Sequence, residues 1–401
     1  MAAGMTGATT PTTALSSRPV PYWRLSSFYF FYFTVVGAQV PFWTLYLHHM
    51  GFSLVEIGTL TAIQLSTRLF APNLWGWIGD RTNKRIFIIR VGALLTALAY
   101  AGVFLHPGFW GIALVMAGFN FFWNAILPQF EVITLQHLKH DAQRYSLIRL
   151  WGSIGFIASV VGLGWYFEHH PLEQLPIWVT GFMVMIMVAT VLVTQPEGER
   201  TGGGGFAPFL QQMRNGTVLM FFLLCFLMQV SHGPYYAFFS IFLQDEGYSR
   251  TLIGGFWAIG VLAEIGVFLL MHRIIGNFNA RTLAIGCLLA GALRWWLTGY
   301  FPNHTGILVL AQLGHAATFG VFHALAIHLI HRFFTQQASG QGQAVYSAFC
   351  YGAGNAAGAY LAGLIVQAYG GAVAYYAASV LLLLSAVLAY FLFSRVDQTQ
   401  R

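Results

Sequence analysis

Charged side chains are scarce in this sequence. Asp, Glu, Lys and Arg make up 8% of its 401 residues, about a third of the roughly 25% found in soluble domains, which excludes an ordinary water-soluble globule. Cysteine is nearly absent, and Cys225, Cys287 and Cys350 all fall in apolar segments, where a thiol packs as a small hydrophobe. No disulfide framework or cysteine-based zinc site is implied. The net charge is +7, but the basic residues come in ones to fours between apolar segments rather than as a stripe on a polar face, so nucleic acid is not the partner. The glycine run Gly202 to Gly205 lacks the Lys, the Ser/Thr and the preceding strand of a phosphate-binding loop. Residues 1–24 lack the basic start, continuous apolar run and cleavage site of a signal peptide and read as a disordered cytoplasmic tail.

What the sequence has in abundance is apolar length. Hydrophobic residues make up 57% of it, and stretches of about 20 predominantly apolar residues recur, each long enough to cross the ~30 Å hydrocarbon core as a helix. Twelve spans are predicted, over roughly 25–48, 53–78, 86–105, 109–134, 146–167, 176–194, 216–243, 250–271, 282–300, 305–330, 343–366 and 372–394. The expected fold is therefore all-α, a polytopic membrane protein whose even span count leaves both termini on one side. Placing that side in the cytoplasm collects 16 of the 19 basic residues there and leaves only Arg250 in an outer loop, as the positive-inside rule requires. Arg68 and Arg294 lie within spans.

The longest connection, residues 195–215, contains the glycine run and reads as a flexible cytoplasmic linker. It separates a six-helix half at 25–194 from another at 216–394, with a short tail at 395–401. The halves carry a shared pattern. Gly51-Phe-Ser-Leu-Val-Glu-Ile-Gly58 and Gly247-Tyr-Ser-Arg-Thr-Leu-Ile-Gly254 match at an offset of 196, and Tyr145-Ser146 matches Tyr346-Ser347 at 201. Parallel six-helix repeats are the architecture of a rocking transporter with its site between two bundles near the midplane.

The most specific local signal is Gly76-Trp-Ile-Gly-Asp80-Arg81-Thr-Asn-Lys84-Arg85. Topology alone needs only the cations; Asp80 adds a carboxylate that can pair with Arg81, with a nearby basic side chain or with a helix N-terminus in one conformation and lose that pairing in another, which makes Gly76, Asp80, Arg81 and Arg85 the gate candidates. The pattern resembles the loop signature of the major facilitator superfamily, with Asn83 where the signature carries a small Gly. Further segments, among them FYFFYF and PFWTLYL in span one, RLWGSIGF in span five, SHGPYYAF in span seven, ALRWW in span nine, GHAATFGVFHA in span ten and QAVYSA in span eleven, resemble the phenylpropionate permease family of proton symporters. That resemblance implies two pseudo-symmetric six-helix bundles in an inner membrane and proton-driven import of a small organic substrate such as 3-phenylpropionate. The expected partners are that substrate, protons and the bilayer. A monomer without cofactor or metal is expected.

Charges within spans cost at least ~2.5–3.5 kcal/mol at a helix centre, so each should be paired or functional. At 1.5 Å per residue, Glu264 lies about 22 Å into span eight, Arg294 about 18 Å into span nine, and His315 about 14 Å below the outer end of span ten. A carboxylate, a guanidinium and an imidazole at one depth form either a proton-responsive unit, in which Arg294 holds Glu264 ionised and protonation frees the Arg for an anion, or a static pair locking spans eight and nine. The trio resembles the Glu, Arg and His of the same helices in lactose permease. That family's second carboxylate is here Thr318, which assigns proton coupling to Glu264 with His315 or His323. Glu131 and Arg149 are similar in placement to a substrate-binding pair of lactose permease, or form an inner gate. Arg68 could attract an anion or satisfy Asp80. Ser53 and Glu56 have the spacing of a capping box. Among the aromatics, Tyr32, Tyr235, Tyr236 and Trp257 lie at midplane depth and are candidate substrate contacts. Two readings compete with the aromatic acid: a proton symporter of a neutral nucleoside or sugar, and a membrane enzyme with a metal held by the His137/His140 or His328/His331 pairs.

Overall fold

The computed structural model describes residues 20–139, 141–196, 206–336 and 338–398; the glycine run and most of the N-terminal tail lie outside them. Among the described residues every regular element is helical. We number the spanning segments α1 (Tyr22–His49), α2 (Leu54–Ser66 and Ala71–Thr82), α3 (Arg85–Leu105), α4 (Phe109–Leu138), α5 (Ala142–His169), α6 (Leu172–Val191), α7 (Gly216–Asp245), α8 (Arg250–Asn277), α9 (Ala280–Tyr300), α10 (Thr305–Phe333), α11 (Ser339–Tyr369) and α12 (Gly371–Phe393). Eleven are continuous and apolar enough to cross a bilayer. The twelfth, α2, is broken by a 3₁₀ turn at Thr67–Leu69. Pro72 explains the break: it has no N–H to donate to the carbonyl four residues back, that of Arg68, so the helix restarts at Ala71 with Pro in its first turn.

The glycines and the serine shared by the two octapeptides each have a mechanical part. Gly51 and Gly247 turn the chain at φ 89° and 85°, a conformation that glycine adopts without steric cost. Ser53 and Ser249 then cap α2 and α8, accepting from the amides of Glu56 and Leu252. Glu56 closes the capping box, its carboxylate accepting from the Ser53 amide at 2.8 Å. Gly58 and Gly254, one turn further on, are the points where the halves cross. A Cβ on Gly58 would stand 2.7 Å from the Ala359 carbonyl oxygen and 2.9 Å from the Gly363 Cα; one on Gly254 would stand 2.1 Å from the Val160 oxygen and 3.5 Å from the Gly164 Cα. Thus α2 crosses α11 and α8 crosses α5 in the same way. Each crossing is tied at its end by a borrowed cap: the Leu54 amide donates to Gln367 Oε1 at 3.0 Å, and the Arg250 amide donates to Glu168 Oε2 at 2.7 Å.

Toward the opposite end the halves part. The buried residues of α8 all lie at or before Gly260, and Ala71–Thr82 of α2 packs on α3 and α4 of its own half. The protein is closed at the end bearing Ser53 and Ser249 and open toward the end bearing Asp80.

Candidate functional site

The charged centre of the second half hangs on three helices. Arg294, 1% exposed, extends from α9 between the rings of Tyr235 and Trp295, its guanidinium carbon 4.4 and 4.2 Å from their centroids. Its Nη1 lies 2.9 Å from His315 Nδ1 and 3.0 Å from Thr318 Oγ1. His315 Nε2 lies 2.7 Å from Glu264 Oε1. The imidazole therefore stands between the guanidinium and the carboxylate, and the direct Arg294–Glu264 pairing expected from depth alone does not form; equal depth brings side chains near each other but does not choose the order of contact.

Donor and acceptor chemistry fixes the proton positions along this chain. Arginine only donates, so His315 Nδ1 accepts and the ring of a neutral His315 carries its proton on Nε2, donating to Glu264. Thr318 Oγ1 accepts the second Nη1 proton, and its own proton faces two acceptors, His232 Nε2 at 3.3 Å and the His315 carbonyl at 3.4 Å. His232 Nδ1 then donates to the Met228 carbonyl at 2.8 Å. This leaves Arg294 Nε and Nη2 buried without a partner, together with Gln312 Nε2. Gln312 Oε1 accepts from the Tyr235 hydroxyl at 3.0 Å.

A widened turn shapes this region. α10 runs as π-helix over Ala316–Val321, a distortion often found at functional sites. His323, one candidate for extending the chain, is separated from His315 by Phe319, whose ring stacks on both imidazoles at 5.4 and 6.1 Å. Its Nδ1 instead meets the hydroxyls of Tyr346 and Tyr351, each at 3.2 Å. Those tyrosines are five apart in a second π stretch, Tyr346–Gly354 of α11.

In the first half, Arg149 lies over the Phe33 ring at 4.0 Å, and Glu131 accepts from the Tyr145 hydroxyl at 3.3 Å; the two charges form no ion pair. Arg68 sits on the 3₁₀ turn of α2, where a Cβ on Gly352 of α11 would meet its own Cβ at 3.4 Å. Asp80 is engaged elsewhere: it pairs with Arg85, which also donates to Gln129. Asn83, at φ 53°, turns the chain back so that Arg85 rather than the adjacent Arg81 faces Asp80. Arg81 lies over Trp77 at 5.4 Å, and Gly76 has open space where a Cβ would be. Of the four aromatic candidates, Tyr32, Tyr235 and Trp257 are buried, Tyr32 stacking on Trp123 and Trp257 donating to Ser240. Tyr236 is half-buried and stacks on His232. Sequence reasoning missed His232 and Gln312, although the SHGPYY segment contains the first and Gln312 lies one helical turn before His315.

No group of three or more His, Cys, Asp or Glu among the described residues could hold a metal ion. His137 bonds the Thr194 carbonyl at 2.9 Å, and His140 lies outside the described residues.

The sequence model of the MFS_1-like family matches residues 22–377. The chain belongs to the MFS_1-like family. Its relatives include transporters. It is 29% identical over 353 residues, 85% of this chain and 90% of the other, to the "Probable 3-phenylpropionic acid transporter" of Escherichia coli (strain K12). It is 26% identical to the maltose permease of Geobacillus stearothermophilus, covering 84% of this chain and 85% of that one. In three dimensions it matches the crystal structure of a mutant of the nucleoside transporter NupG with a TM-score of 0.84 over 93% of this chain and 99% of that one, at 16% identity. An MFS_1-like protein with these twelve helices is a secondary transporter in a membrane, not an enzyme, and its cargo is a small molecule.

Proposed function

We propose that the protein imports a small aromatic carboxylate such as 3-phenylpropionate together with a proton, by alternating access. The observation that carries this reading is the free edge of Arg294. Nε and Nη2 form one side of the guanidinium, the geometry that binds a carboxylate bidentately, and both are buried and unpartnered. Glu264 supplies the charge balance. While ionised it compensates Arg294 through His315. Once it is protonated, the buried guanidinium has lost its anion, a state that costs several kcal/mol unless another anion replaces it. Proton and carboxylate are then taken up together. His315 transmits between the two groups, and His323 with its two tyrosines lies beyond Phe319 on the same helix. Arg68, Arg149, Glu131, Tyr32, Tyr235, Tyr236 and Trp257 complete the substrate region.

The bundles are assigned to residues 25–194 and 216–394, joined by a cytoplasmic linker, in a monomer in the inner membrane. The basic bias of the loops supports placing the Asp80 end and both termini in the cytoplasm. The open end then faces inward, and the Asp80–Arg85–Gln129 contact, with Gly76 and Arg81 beside it, acts as a gate that changes partners as that end closes.

The competing cargo is a neutral nucleoside or sugar, which the nucleoside transporter and maltose permease likenesses support. Binding of the acid and of its amide to wild type and to Arg294→Lys separates the two. An acid substrate requires the amide to bind poorly, the lysine variant, which keeps the charge but loses the fork, to weaken acid binding strongly, and Arg294→Ala to weaken it more, by about 2–5 kcal/mol. Equal affinity for acid and amide overturns carboxylate recognition.

A further inference from the structure

A second basic site lies outside the transport path. Between the α8–α9 turn and the ends of α10 and α12 is a cavity of about 240 Å³ that holds Arg281, His328 and Arg332 against a wall of Phe278, Leu283, Leu325 and Phe393. Among the described residues no carboxylate lines it. His328 and Arg332 are four apart on α10 and so share a face. Arg281 is held with its guanidinium 4.2 Å from the Tyr390 ring, a stacking contact that uses the face of the group and leaves its in-plane donors free. Among the described residues, none of the three basic side chains makes a hydrogen bond or ion pair with a protein acceptor. Asn279, by contrast, already caps the α9 N-terminus through the Thr282 amide.

We propose that this pocket binds the phosphate of an anionic membrane lipid. Two permanent cations without a counter-ion among the described residues supply the oxyanion chemistry, which a free phosphate could also use. The apolar wall favours the lipid: it adds nothing to an inorganic ion, while a glycerol backbone and acyl chain can lie along it. Phe278, 54% exposed, extends that wall to the surface. The pocket is at the Asp80 end of the bundle, at the level where basic side chains meet lipid headgroups. Its occupancy is independent of what the protein transports.

The test uses the purified full-length protein in native mass spectrometry, titrated separately with phosphatidylglycerol, phosphatidylcholine and inorganic phosphate. Each cation near a membrane surface is worth roughly fivefold in affinity. Wild type is expected to retain phosphatidylglycerol over phosphatidylcholine, R281Q/R332Q to lose at least about tenfold of that preference, and R273Q, which alters a cation outside the pocket, to keep it. R281K/R332K should keep most of it. If the double variant fails to fold, R332Q alone, which removes an exposed side chain, should show the roughly fivefold loss. Unchanged phosphatidylglycerol retention in a folded R281Q/R332Q overturns the site. Phosphate binding as tight as the lipid's and abolished by the same pair overturns the lipid as its ligand.

Discussion

Substituting one crossing glycine tests the closed end of the protein directly. In Gly254→Ala the new Cβ would stand 2.1 Å from the Val160 oxygen, where ordinary contact begins near 3.4 Å, so the two helices must separate by about 1.3 Å at that point. The obstruction is backbone and cannot rotate away. Overpacking of this kind costs about 1–3 kcal/mol, a factor of roughly 5 to 150 in the balance between closed and open states. Gly58→Ala meets the Ala359 oxygen at 2.7 Å, needs about half the displacement, and should shift the balance less. Spin labels at Met50→Cys and Ala368→Cys, with Cys225, Cys287 and Cys350 replaced, report the gap at this end by pulsed electron resonance. Wild type should give a short distance, Gly254→Ala a population at longer distance, and Gly58→Ala an intermediate result. An unchanged distribution in folded Gly254→Ala would refute the claim that backbone proximity sets the closure.

Two further outcomes follow from the charged centre. Glu264→Gln keeps a group that can still meet His315 Nε2 but cannot carry a proton; uphill accumulation in proteoliposomes should vanish while substrate exchange persists, and accumulation that survives would move the coupling proton to a histidine. Thr318→Val removes the hydroxyl that joins Arg294 to His232, leaving a buried donor and a buried acceptor unpaired at a cost of about 1–3 kcal/mol. Its thermal midpoint should fall, that of Thr318→Ser should stay near wild type, and equal midpoints would show that the hydroxyl joins nothing.

Much of this was legible in the sequence because the bilayer makes composition speak. Twelve apolar lengths and the rarity of ionisable residues within them follow from the cost of polar groups in hydrocarbon, and the repeated octapeptide stands in the letters themselves. The contacts among those residues were not legible. The place of His315 between Arg294 and Glu264 depends on side-chain reach, which depth arithmetic does not measure. Tyr346 and Tyr351 would lie about 140° apart on an α-helix, so only the π turn reveals their convergence on His323. The break in α2 did leave a signal in Pro72, but the apolar length around it reads as one span.

The paired crossings have a consequence for how such a chain diversifies. Gly58 and Gly254 hold the same place in the repeated motif, and each opposes a glycine of the other half, Gly363 and Gly164. A duplicated joint leaves the hinge redundant in form while the residues beside it drift. They have drifted: the cap lent to Leu54 comes from the amide of Gln367, and the cap lent to Arg250 from the carboxylate of Glu168, with the Arg250 guanidinium reaching the Phe167 carbonyl as well. One flank of the closed end is thus held by a bond between neutral groups and the other by charge-assisted bonds, a backbone amide to a carboxylate and a guanidinium to a carbonyl. The symmetry of the crossings lies in the backbone, while the two flanks are fastened by different chemistry, neutral on one side and charge-assisted on the other.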